Sequence, residues 1–312
     1  MPHTLVSIAL CTYNSGNYLS LLLESLLVQT YENIEIICCD DKSTDNTQLT
    51  LLAYQTKYPE IIRLHFNETN IGYTKNFEQC LLFCNGDFIA IADHDDIWMK
   101  AKIEKLLAKI GEAMLIYSDS IYIDKEGREI GRQLTTKFNL HNRPDPRSFV
   151  FASSVWGHTV LLKKELLKIV LPAPGGAPYD TWLAYTAASI SEVRYLPEPL
   201  TYWRQHSASF SATHYAGKEK DKNLKFNDWK EVMNWIRAMK DFPDTRHLIF
   251  LQELYRLYKK KEKSFFVWGL YFFLIRNKKV LFKVWRRSYI SSLNEFRKMS
   301  SGVKKYPEKD VI

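Results

Sequence analysis

Short apolar runs alternate with segments of helical periodicity through the first hundred residues of the chain. Each run is nearly uninterrupted, which is typical of strands that are buried on both faces of a sheet. Because strands that alternate with helices usually pair in parallel, the pattern predicts an α/β fold with a mostly parallel sheet flanked by helices. The predicted strands are Leu5–Leu10, Ile34–Cys39, Ile61–Phe66 and Phe88–Ala92.

The segments between the strands place their apolar side chains on one face of a helix, so each can cover a face of the sheet. Polar residues that favour helix starts follow two strands directly, at Asn14-Ser15-Gly16 and Asp41-Lys42-Ser43-Thr44. Loops at the carboxyl ends of parallel strands bind ligands, and we expect the polar site there. The helical faces comprise Leu19, Leu22, Leu23, Leu26 and Leu27; Phe77, Cys80, Leu81 and Cys84; and Ile103, Leu106, Leu107 and Ile110.

Charge is divided unevenly along the chain. Residues 1–215 carry 19 basic and 24 acidic side chains, whereas residues 216–312 carry 24 basic and 11 acidic ones. The strand pattern also fades after Pro197-Glu198-Pro199, and the basic part is rich in Trp, Phe and Tyr at helical spacing. We therefore predict one α/β domain over residues 1–215 and a C-terminal helical extension over residues 216–312.

The cysteines and the N-terminus indicate a reducing compartment. No pair of spaced CxxC motifs is present, and the apolar neighbours of the cysteines predict buried free thiols rather than disulfides or metal ligands. The first residues lack the basic and apolar regions of a secretory signal, so we expect a cytoplasmic protein. The five cysteines are Cys11, Cys38, Cys39, Cys80 and Cys84.

Three carboxylates follow the fourth predicted strand within four residues, at Asp93, Asp95 and Asp96. If this stretch is extended, Asp93 and Asp95 point to the same side, because side chains alternate along a strand. Two hard oxygen ligands with open positions beside them suit Mg²⁺ or Mn²⁺. The alternative is a solvated acidic turn that caps the following helix.

Six ordered sequence blocks resemble the family 2 glycosyltransferases of the GT-A fold, and among them the bacterial rhamnosyltransferase-like members. Together the blocks cover about residues 4–210, which makes them more specific than any single motif. The blocks are Val6–Asn14, Ile36–Asp45, Asn70–Gly72 with Lys75–Phe77, Gly86–Ile89 leading into Asp93–Trp98, Tyr179–Trp182 and Tyr202–His206.

The resemblance implies an inverting, metal-dependent transfer of a sugar from a nucleotide-diphosphate donor to an acceptor hydroxyl, in bacterial surface polysaccharide or lipopolysaccharide assembly. It implies a donor of UDP or dTDP type, a glycan or lipid-linked glycan acceptor, and Mn²⁺ or Mg²⁺ as cofactor. Asp95 is the first expected metal ligand, with Asp93 and His206 beside it. The implied donor-binding residues are Thr12, Tyr13, Asn14, Asp40, Asn70, Lys75, Asp93 and Arg204, and the acceptor side includes Gly157, His158 and Trp182.

Asp180 occupies the position of the family's catalytic base. An inverting displacement needs one carboxylate on the face opposite the leaving group, where it takes the acceptor proton. This sequence departs from the common pattern because Tyr179 stands where an acidic residue or His is usual, which puts the function of that neighbour in doubt. The alternative is that Asp180 is only the N-cap of a helix over Thr181–Ser189.

The basic C-terminal region contains an apolar run at Phe265–Ile275 that is flanked by lysines and arginines. The run is about half the roughly 20 residues needed to span a bilayer, so it predicts docking on an anionic membrane surface rather than crossing. The alternative is that its aromatic residues are ordinary core. No nucleic-acid-binding module accompanies the charge, and we expect no nucleic-acid partner.

Two other functions compete with the transferase. A sugar nucleotidyltransferase would use a similar sheet and metal, but it normally has a Gly-rich phosphate loop, which Thr12-Tyr13-Asn14-Ser15-Gly16 does not provide. A non-catalytic scaffold that binds nucleotide sugars at the membrane would not need both Asp95 and Asp180. The sequence therefore favours the transferase.

Overall fold

A computed structural model describes residues 4–174, 178–206, 229–243 and 246–303. Within these residues nine strands form one mixed sheet, and helices flank it. The fold is therefore α/β, as predicted from the sequence. The strands are β1 (Val6–Thr12), β2 (Ile34–Asp40), β3 (Ile62–Phe66), β4 (Phe88–Asp93), β5 (Ile97–Trp98), β6 (Leu115–Ile123), β7 (Glu129–Gln133), β8 (Val160–Lys163) and β9 (Val193–Arg204).

Most strands of the sheet run in one direction. The order is β3-β2-β1-β4-β8-β6-β9-β5, with β7 paired to β6. Strands β3, β2, β1 and β4 are parallel neighbours, β8 is antiparallel to both β4 and β6, and β9 is parallel to β6. The four parallel strands are those predicted from the apolar runs, and their carboxyl ends lie at one edge of the sheet.

Helices cover the sheet with the apolar faces that the sequence predicts. Leucines on the first helix and isoleucines and leucines on the fourth are buried in one hydrophobic cluster with β1, β2 and β4. The third helix buries Phe77, Cys80 and Leu81. The five cysteines are buried and free, as predicted. The helices of this unit are α1 (Leu19–Leu27), α2 (Thr47–Lys57), α3 (Tyr73–Phe83), α4 (Lys102–Ile110), α5 (Leu134–Lys137), α6 (Leu167–Val170) and α7 (Tyr179–Ile190).

Strand β9 continues beyond the point where the sequence pattern fades. It runs through Pro197 and Pro199 to Arg204, and its pairing with β6 shifts register between Ser118 and Ser120. Proline cannot donate a hydrogen bond to a neighbouring strand, so it is tolerated where the pairing is irregular. The irregular pairing explains how a strand with two prolines occupies the interior of the sheet.

The chain divides into two compact units. Among the described residues, the first contains 4–144, 154–173 and 178–206, and the second contains 145–153, 174, 229–243 and 246–303. The predicted boundary between residues 215 and 216 lies outside the described residues. Segment 145–153 was not predicted to join the second unit, yet Trp235 Nε1 donates a hydrogen bond to Phe149 O at 3.1 Å, and the rings of Phe151 and Phe282 stack 5.4 Å apart.

The second unit is helical in its described part. Its helices present leucine, methionine and aromatic side chains to a common core. Among the described residues, no helix combines the length and the apolar character needed to cross a membrane. The helices are α8 (Trp229–Asp241), α9 (Leu248–Lys259), α10 (Trp268–Arg276), α11 (Lys278–Leu281) and α12 (Tyr289–Met299).

Candidate active site

The polar residues singled out in the sequence meet at the carboxyl edge of the parallel strands. Thr12 at the end of β1 lies opposite Asp40 at the end of β2, and Cys11 of β1 lies opposite Asp93 at the end of β4. This edge is the usual ligand-binding position in an open α/β sheet. Sheet register therefore brings Thr12, Asp40 and Asp93 to one edge of the sheet.

Asp40 is fully buried, and its carboxylate accepts hydrogen bonds from side chains and from the backbone of the following loop. Thr12 Oγ1 donates to Asp40 Oδ1 at 2.9 Å, Ser43 N donates to Oδ2 at 2.9 Å, and Gln48 Nε2 donates to Oδ2 at 2.7 Å. These bonds fix the loop after β2. By contrast, Tyr13 is 48% exposed, so its ring is accessible for stacking.

Asn14 ties the loop after β1 to the loop after β2. Its backbone lies in the left-handed region at φ 49°, and its Oδ1 accepts a hydrogen bond from Thr44 N at 2.8 Å. Asn14 N in turn donates to Ser43 Oγ at 2.9 Å. Asparagine adopts this backbone region more readily than most residues, so Asn14 has a clear structural role beside any role in donor binding.

Asp41 holds the loop that carries Asn70 and leads into the helix of Lys75. Its carboxylate accepts hydrogen bonds from Ile71 N and Gly72 N, each at 2.8 Å. The sequence suggested a helix-capping role for Asp41, and this longer-range role was missed because it joins residues 30 positions apart. Asn70 Oδ1 accepts from Gly72 N at 3.1 Å within the same loop, and Lys75 is exposed on the first turn of α3.

The chain turns directly after Asp93, contrary to the extended arrangement considered above. Strand β4 ends at Asp93, and Asp96 N donates back to Asp93 O at 3.3 Å. The turn brings Asp93, Asp96 and His158 together, with one ligand atom of each within 4.8 Å of the others. His158, which the family resemblance implies on the acceptor side, therefore adjoins the carboxylates, and its Nδ1 lies 3.7 Å from Asp93 Oδ2.

Asp95 pairs with His206, and neither residue belongs to the group of Asp93, Asp96 and His158. His206 Nε2 and Asp95 Oδ2 are 2.8 Å apart. Burial acts to raise the pKa of Asp95, but the hydrogen bond to His206 and the nearby histidine charges outweigh it, so the pKa is lowered. Burial, with the negative charges of Asp95 and Asp180, raises the pKa of Asp93 to about 7. The two carboxyls thus have different proton affinities in the absence of a cation.

Asp96 is the most enclosed carboxylate of the three. It has no solvent exposure, and its Oδ1 accepts a hydrogen bond from Arg204 N at 2.9 Å. Burial first, and then the charges of Asp95 and Asp93, raise its pKa well above the usual range. Its Oδ2 has no hydrogen-bond partner among the described residues. An unsatisfied buried carboxylate oxygen among other carboxylates is consistent with a cation site.

The side chain of Arg204 is buried and bound to backbone carbonyls. Its Nε donates to Asp95 O at 2.8 Å, and its Nη1 donates to Asp124 O and Lys125 O at 3.2 and 3.1 Å. Its guanidinium also lies over the ring of Tyr18, 4.5 Å from the centroid. These contacts fix the turn that carries Asp95, and the donor contact that the family resemblance implies for Arg204 stays a prediction.

Lys102 is a buried cation beside the carboxylates that the sequence analysis missed. Its Nζ donates to His158 O at 2.6 Å and to Thr201 Oγ1 at 2.9 Å, and it lies 3.5 Å from the ring centroid of Trp98. Burial lowers its pKa well below the usual range, while Asp96 and Asp93 act in the opposite direction. A lysine at the first turn of an amphipathic helix is normally exposed, so no local signal identifies it.

Asp180 lies in the first turn of α7 and is not its N-cap, which is Pro178. Its Oδ1 accepts hydrogen bonds from Thr181 N at 2.6 Å and from Thr181 Oγ1 at 3.3 Å. Burial raises the pKa of Asp180, and hydrogen bonds from Thr181 and from the backbone of Gly157 lower it in part, so the net direction is upward. Its charge also contributes to the raised pKa of Asp93, so the two carboxyls share one electrostatic environment.

Tyr179 forms an aromatic wall beside Asp180. Its ring stacks on Phe77 at 4.4 Å and meets Tyr73 edge-on at 5.3 Å. A methyl group at Gly157 would collide with the Tyr179 hydroxyl, which explains the glycine there. Trp182, predicted on the acceptor side, is buried and donates from Nε1 to Val170 O at 2.8 Å. Tyr179 thus packs against aromatic rings at the position where the family pattern usually has a polar residue.

Residues 7–170 match the model of the family described as "Glycosyl transferase family 2". The chain is 34% identical over 123 residues to the putative glycosyltransferase EpsE of Bacillus subtilis, covering 36% of this chain and 44% of that protein. It is 38% identical over 104 residues to "UDP-Glc:alpha-D-GlcNAc-diphosphoundecaprenol beta-1,3-glucosyltransferase WfgD" of Escherichia coli, covering 33% of this chain and 40% of that protein. The chain thus spans less than half the length of these two relatives.

Solved structures share the fold at low sequence identity. Residues 1–349 of S. aureus TarS, in complex with UDP-GlcNAc, superpose with a TM-score of 0.55 at 20% identity, over 82% of this chain and 86% of that one. The mannosyltransferase PcManGT from Pyrobaculum calidifontis, in complex with GDP-Man and Mn²⁺, gives a TM-score of 0.55 at 15% identity, over 82% of this chain and 70% of that one. These matches support the GT-A fold.

Proposed function

Because the chain belongs to glycosyltransferase family 2, we propose that it transfers a hexosyl or deoxyhexosyl group from a nucleotide-diphosphate sugar to an acceptor hydroxyl, with inversion and with a divalent metal ion. The observation that carries the proposal is that one ligand atom each of Asp93, Asp96 and His158 lies within 4.8 Å of the others at the end of β4. Asp180 follows Tyr179, whose hydroxyl lies against Gly157, the neighbour of His158. Such a grouping combines a cation site with a separate carboxylate base.

Asp180 is the proposed base. Its carboxylate takes the proton from the acceptor hydroxyl as the acceptor oxygen attacks the anomeric carbon. Burial raises its pKa, which strengthens it as a base, and the hydrogen bonds from Thr181 hold the carboxylate in one orientation. Tyr179 stacks on Phe77 and fixes the start of the helix that carries Asp180.

Asp95 and Asp93, with His206, are the residues proposed to hold Mn²⁺ or Mg²⁺. Carboxylate oxygens and an imidazole nitrogen suit these ions, and the crowding of three carboxylates with an unsatisfied oxygen on Asp96 fits a cation there. When bound, the ion would neutralise the charge that develops on the departing diphosphate. Arg204 holds the turn of Asp95 from behind, through its hydrogen bond to Asp95 O.

The donor is proposed to lie along the loops after β1, β2 and β3. Tyr13 offers an exposed ring to a base, while Thr12, Asn14 and Asp40 shape the loop beside it. Asn70 and Lys75 stand at the start of α3, where a cation and an amide can contact donor oxygens. A UDP or dTDP sugar is the proposed donor class, and the complex of TarS with UDP-GlcNAc supports it.

The proposed setting is bacterial surface polysaccharide or lipopolysaccharide assembly, at the inner face of the plasma membrane. The name of WfgD refers to a diphosphoundecaprenol-linked sugar, which supports a lipid-linked glycan acceptor. The basic region after residue 215 is the proposed means of attachment to the anionic surface. Its excess of 24 basic over 11 acidic residues supports this role.

Donor hydrolysis and a thermal-shift screen of nucleotide sugars test the reaction. With Mn²⁺ present, UDP or dTDP sugars should raise the melting temperature of the protein, since a ligand stabilises the state that binds it. Asp180→Asn should bind donor but lose transfer, and Asp95→Asn should lose the Mn²⁺ dependence. The exposed Asp87→Asn is the matched control and should behave as wild type.

The outcomes also separate the competing functions. Full activity in both Asp95→Asn and Asp180→Asn, or no shift with any nucleotide sugar, contradicts the transferase proposal. Binding without turnover in the unmodified protein would favour a scaffold. Formation of a sugar nucleotide from a sugar phosphate and a nucleoside triphosphate would favour a nucleotidyltransferase.

A further inference from the structure

An exposed cluster of aromatic rings lies on the second unit, around the start of α10. Phe265, Trp268 and Phe272 are 72%, 63% and 59% exposed. Trp268 and Phe272 stack with their ring centroids 6.1 Å apart, and Phe266 contacts Trp268 edge-on at 4.7 Å. Phe265, Trp268 and Phe272 lie within eight residues of one another in the chain, and we call these three exposed rings the aromatic platform. Large exposed rings grouped in this way mark an interaction surface rather than a solvated one.

Backbone pairing holds the platform in place. Phe266 forms an antiparallel bridge with Ser301, Gly302 N donates to Phe265 O at 2.8 Å, and Val267 N donates to Ser300 O at 2.9 Å. A side chain at Gly302 would collide with the backbone carbonyl of Ser264, so glycine is required for this close approach. The rings are therefore presented by a fixed segment and not by a loose loop.

Helix α10 divides its side chains between the core and the surface. Leu270, Phe273 and Leu274 are buried in the second unit, while Trp268 and Phe272 face outward. A helix of nine residues is about 14 Å long, less than half the roughly 30 Å of a bilayer core. The helix can therefore lie along a membrane surface but not cross the membrane.

Positive charge surrounds the platform in the chain. The stretch from residue 259 to residue 279 contains seven basic residues and one acidic residue, Glu262. Lys259, Lys260 and Lys263 are exposed just before the platform, and Lys279 is exposed just after it. Arg276 is exposed as well and lies 3.9 Å from Glu253. Each basic residue near an anionic leaflet contributes about 1 kcal/mol of binding.

We propose that the aromatic platform inserts into the interface of an anionic phospholipid membrane, with the flanking lysines on the headgroups. Tryptophan and phenylalanine rings bind at this depth, and a basic rim matches the negative charge of the leaflet. An apolar face of a second copy of this chain would carry the same lysines and would be repelled by them. The inference refines the membrane location proposed above and is independent of the transfer chemistry.

Vesicle flotation tests the inference. The full chain should float with vesicles of phosphatidylglycerol mixed with phosphatidylcholine and bind vesicles of phosphatidylcholine alone at least about tenfold more weakly. The triple variant Phe265→Ser, Trp268→Ser, Phe272→Ser should lose about tenfold or more in binding to the mixed vesicles. Leu82→Ser is the matched control, because Leu82 is 66% exposed on the first unit, and it should bind as wild type.

A variant with fewer lysines separates the contribution of the charges to membrane binding from that of the aromatic rings. Lys259→Gln, Lys260→Gln, Lys263→Gln should weaken binding to the anionic vesicles and reduce, without abolishing, the effect of added salt, because salt screens these charges and other basic residues remain. Equal binding of wild type to both vesicle types, or full binding by the aromatic triple variant, overturns the inference. A concentration-dependent dimer that Trp268→Ser abolishes, without vesicle binding, would instead identify a second copy as the occupant.

Activity distinguishes this inference from the proposed function. The aromatic triple variant should retain donor hydrolysis and transfer to a water-soluble acceptor at the wild-type rate, because the platform lies outside the residues assigned to the reaction. Loss of vesicle binding with full soluble activity supports both proposals. Vesicle binding by a protein that shows no nucleotide-sugar chemistry would support the membrane surface alone.

Discussion

Replacing Lys102 by methionine should destabilise the first unit strongly. Methionine keeps most of the hydrocarbon stem but removes the ammonium that donates to His158 O and Thr201 Oγ1. It also leaves Asp96, which has no solvent exposure, without its nearby cation. Leaving two buried acceptors without a donor costs about 1–3 kcal/mol each, so we expect a loss of about 3–5 kcal/mol in total.

Thermal unfolding measured by circular dichroism gives the size of the stability loss in Lys102→Met. For a domain of this size about 1 kcal/mol corresponds to 2–4 °C, so the melting temperature of Lys102→Met should fall by roughly 6–20 °C. Lys105→Met on the same helix is the matched control. Lys105 forms an exposed ion pair with Glu198, and such pairs contribute about 0–1 kcal/mol.

The comparison can refute the reasoning. If Lys102→Met melts within about 2 °C of Lys105→Met, the buried ammonium does not compensate the carboxylates, and the account of the site's electrostatics is wrong. If the loss is large, adding Asp96→Asn to Lys102→Met should restore part of it, because the uncompensated charge is then removed. A double variant no more stable than the single one would contradict that explanation.

Three further predictions concern the same unit. Gly157→Ala should lose about 1–3 kcal/mol in thermal unfolding, and adding Tyr179→Phe should recover part of it, because the new methyl group meets the tyrosine hydroxyl. Glu35→Gln should lose stability near neutral pH and little below pH about 4. Burial alone would raise the pKa of Glu35, yet hydrogen bonds lower it, so the carboxylate stabilises the fold above its unfolded pKa and this contribution disappears as pH falls. In Mn²⁺ titrations Asp95→Asn should weaken affinity by about tenfold or more, whereas Asp96→Asn should mainly change the melting temperature; the reverse result would contradict the ligand assignment.

The local pattern of apolar residues was sufficient to predict the first half of the sheet. Strands β1 to β4 and the apolar faces of α1, α3 and α4 follow from periodicity, because each element buries side chains at regular spacing. Strand β6 was missed, since Ser118, Asp119 and Ser120 interrupt its apolar residues although all three are buried. Their burial depends on the pairing of β6 with β9, which is distant in sequence and irregular in register.

In the site too, some residues could be predicted from the local sequence, whereas others depend on contacts with residues far away in the chain. Asp93, Asp95 and Asp180 could be singled out from motif and position, and the structure brings them into one electrostatic environment. Lys102 could not, because nothing in its own helix indicates that His158 and Thr201 supply acceptors from other parts of the chain. A buried cation is recognised only when the elements that enclose it are known.

Solvent exposure differs among the three neighbouring carboxylates, and it bears on which of them can bind a cation from solvent. The side chains of Asp93 and Asp95 are 30% and 11% exposed, whereas Asp96 has no exposed surface and already accepts from Arg204 N. An ion that enters from solvent would meet the first two before Asp96, although Asp95 Oδ2 already lies 2.8 Å from His206 Nε2. If Asp93 and Asp95 are the ligands, as proposed, Asp96 lies behind them, with one carboxylate oxygen held by Arg204 N and the other without a partner among the described residues.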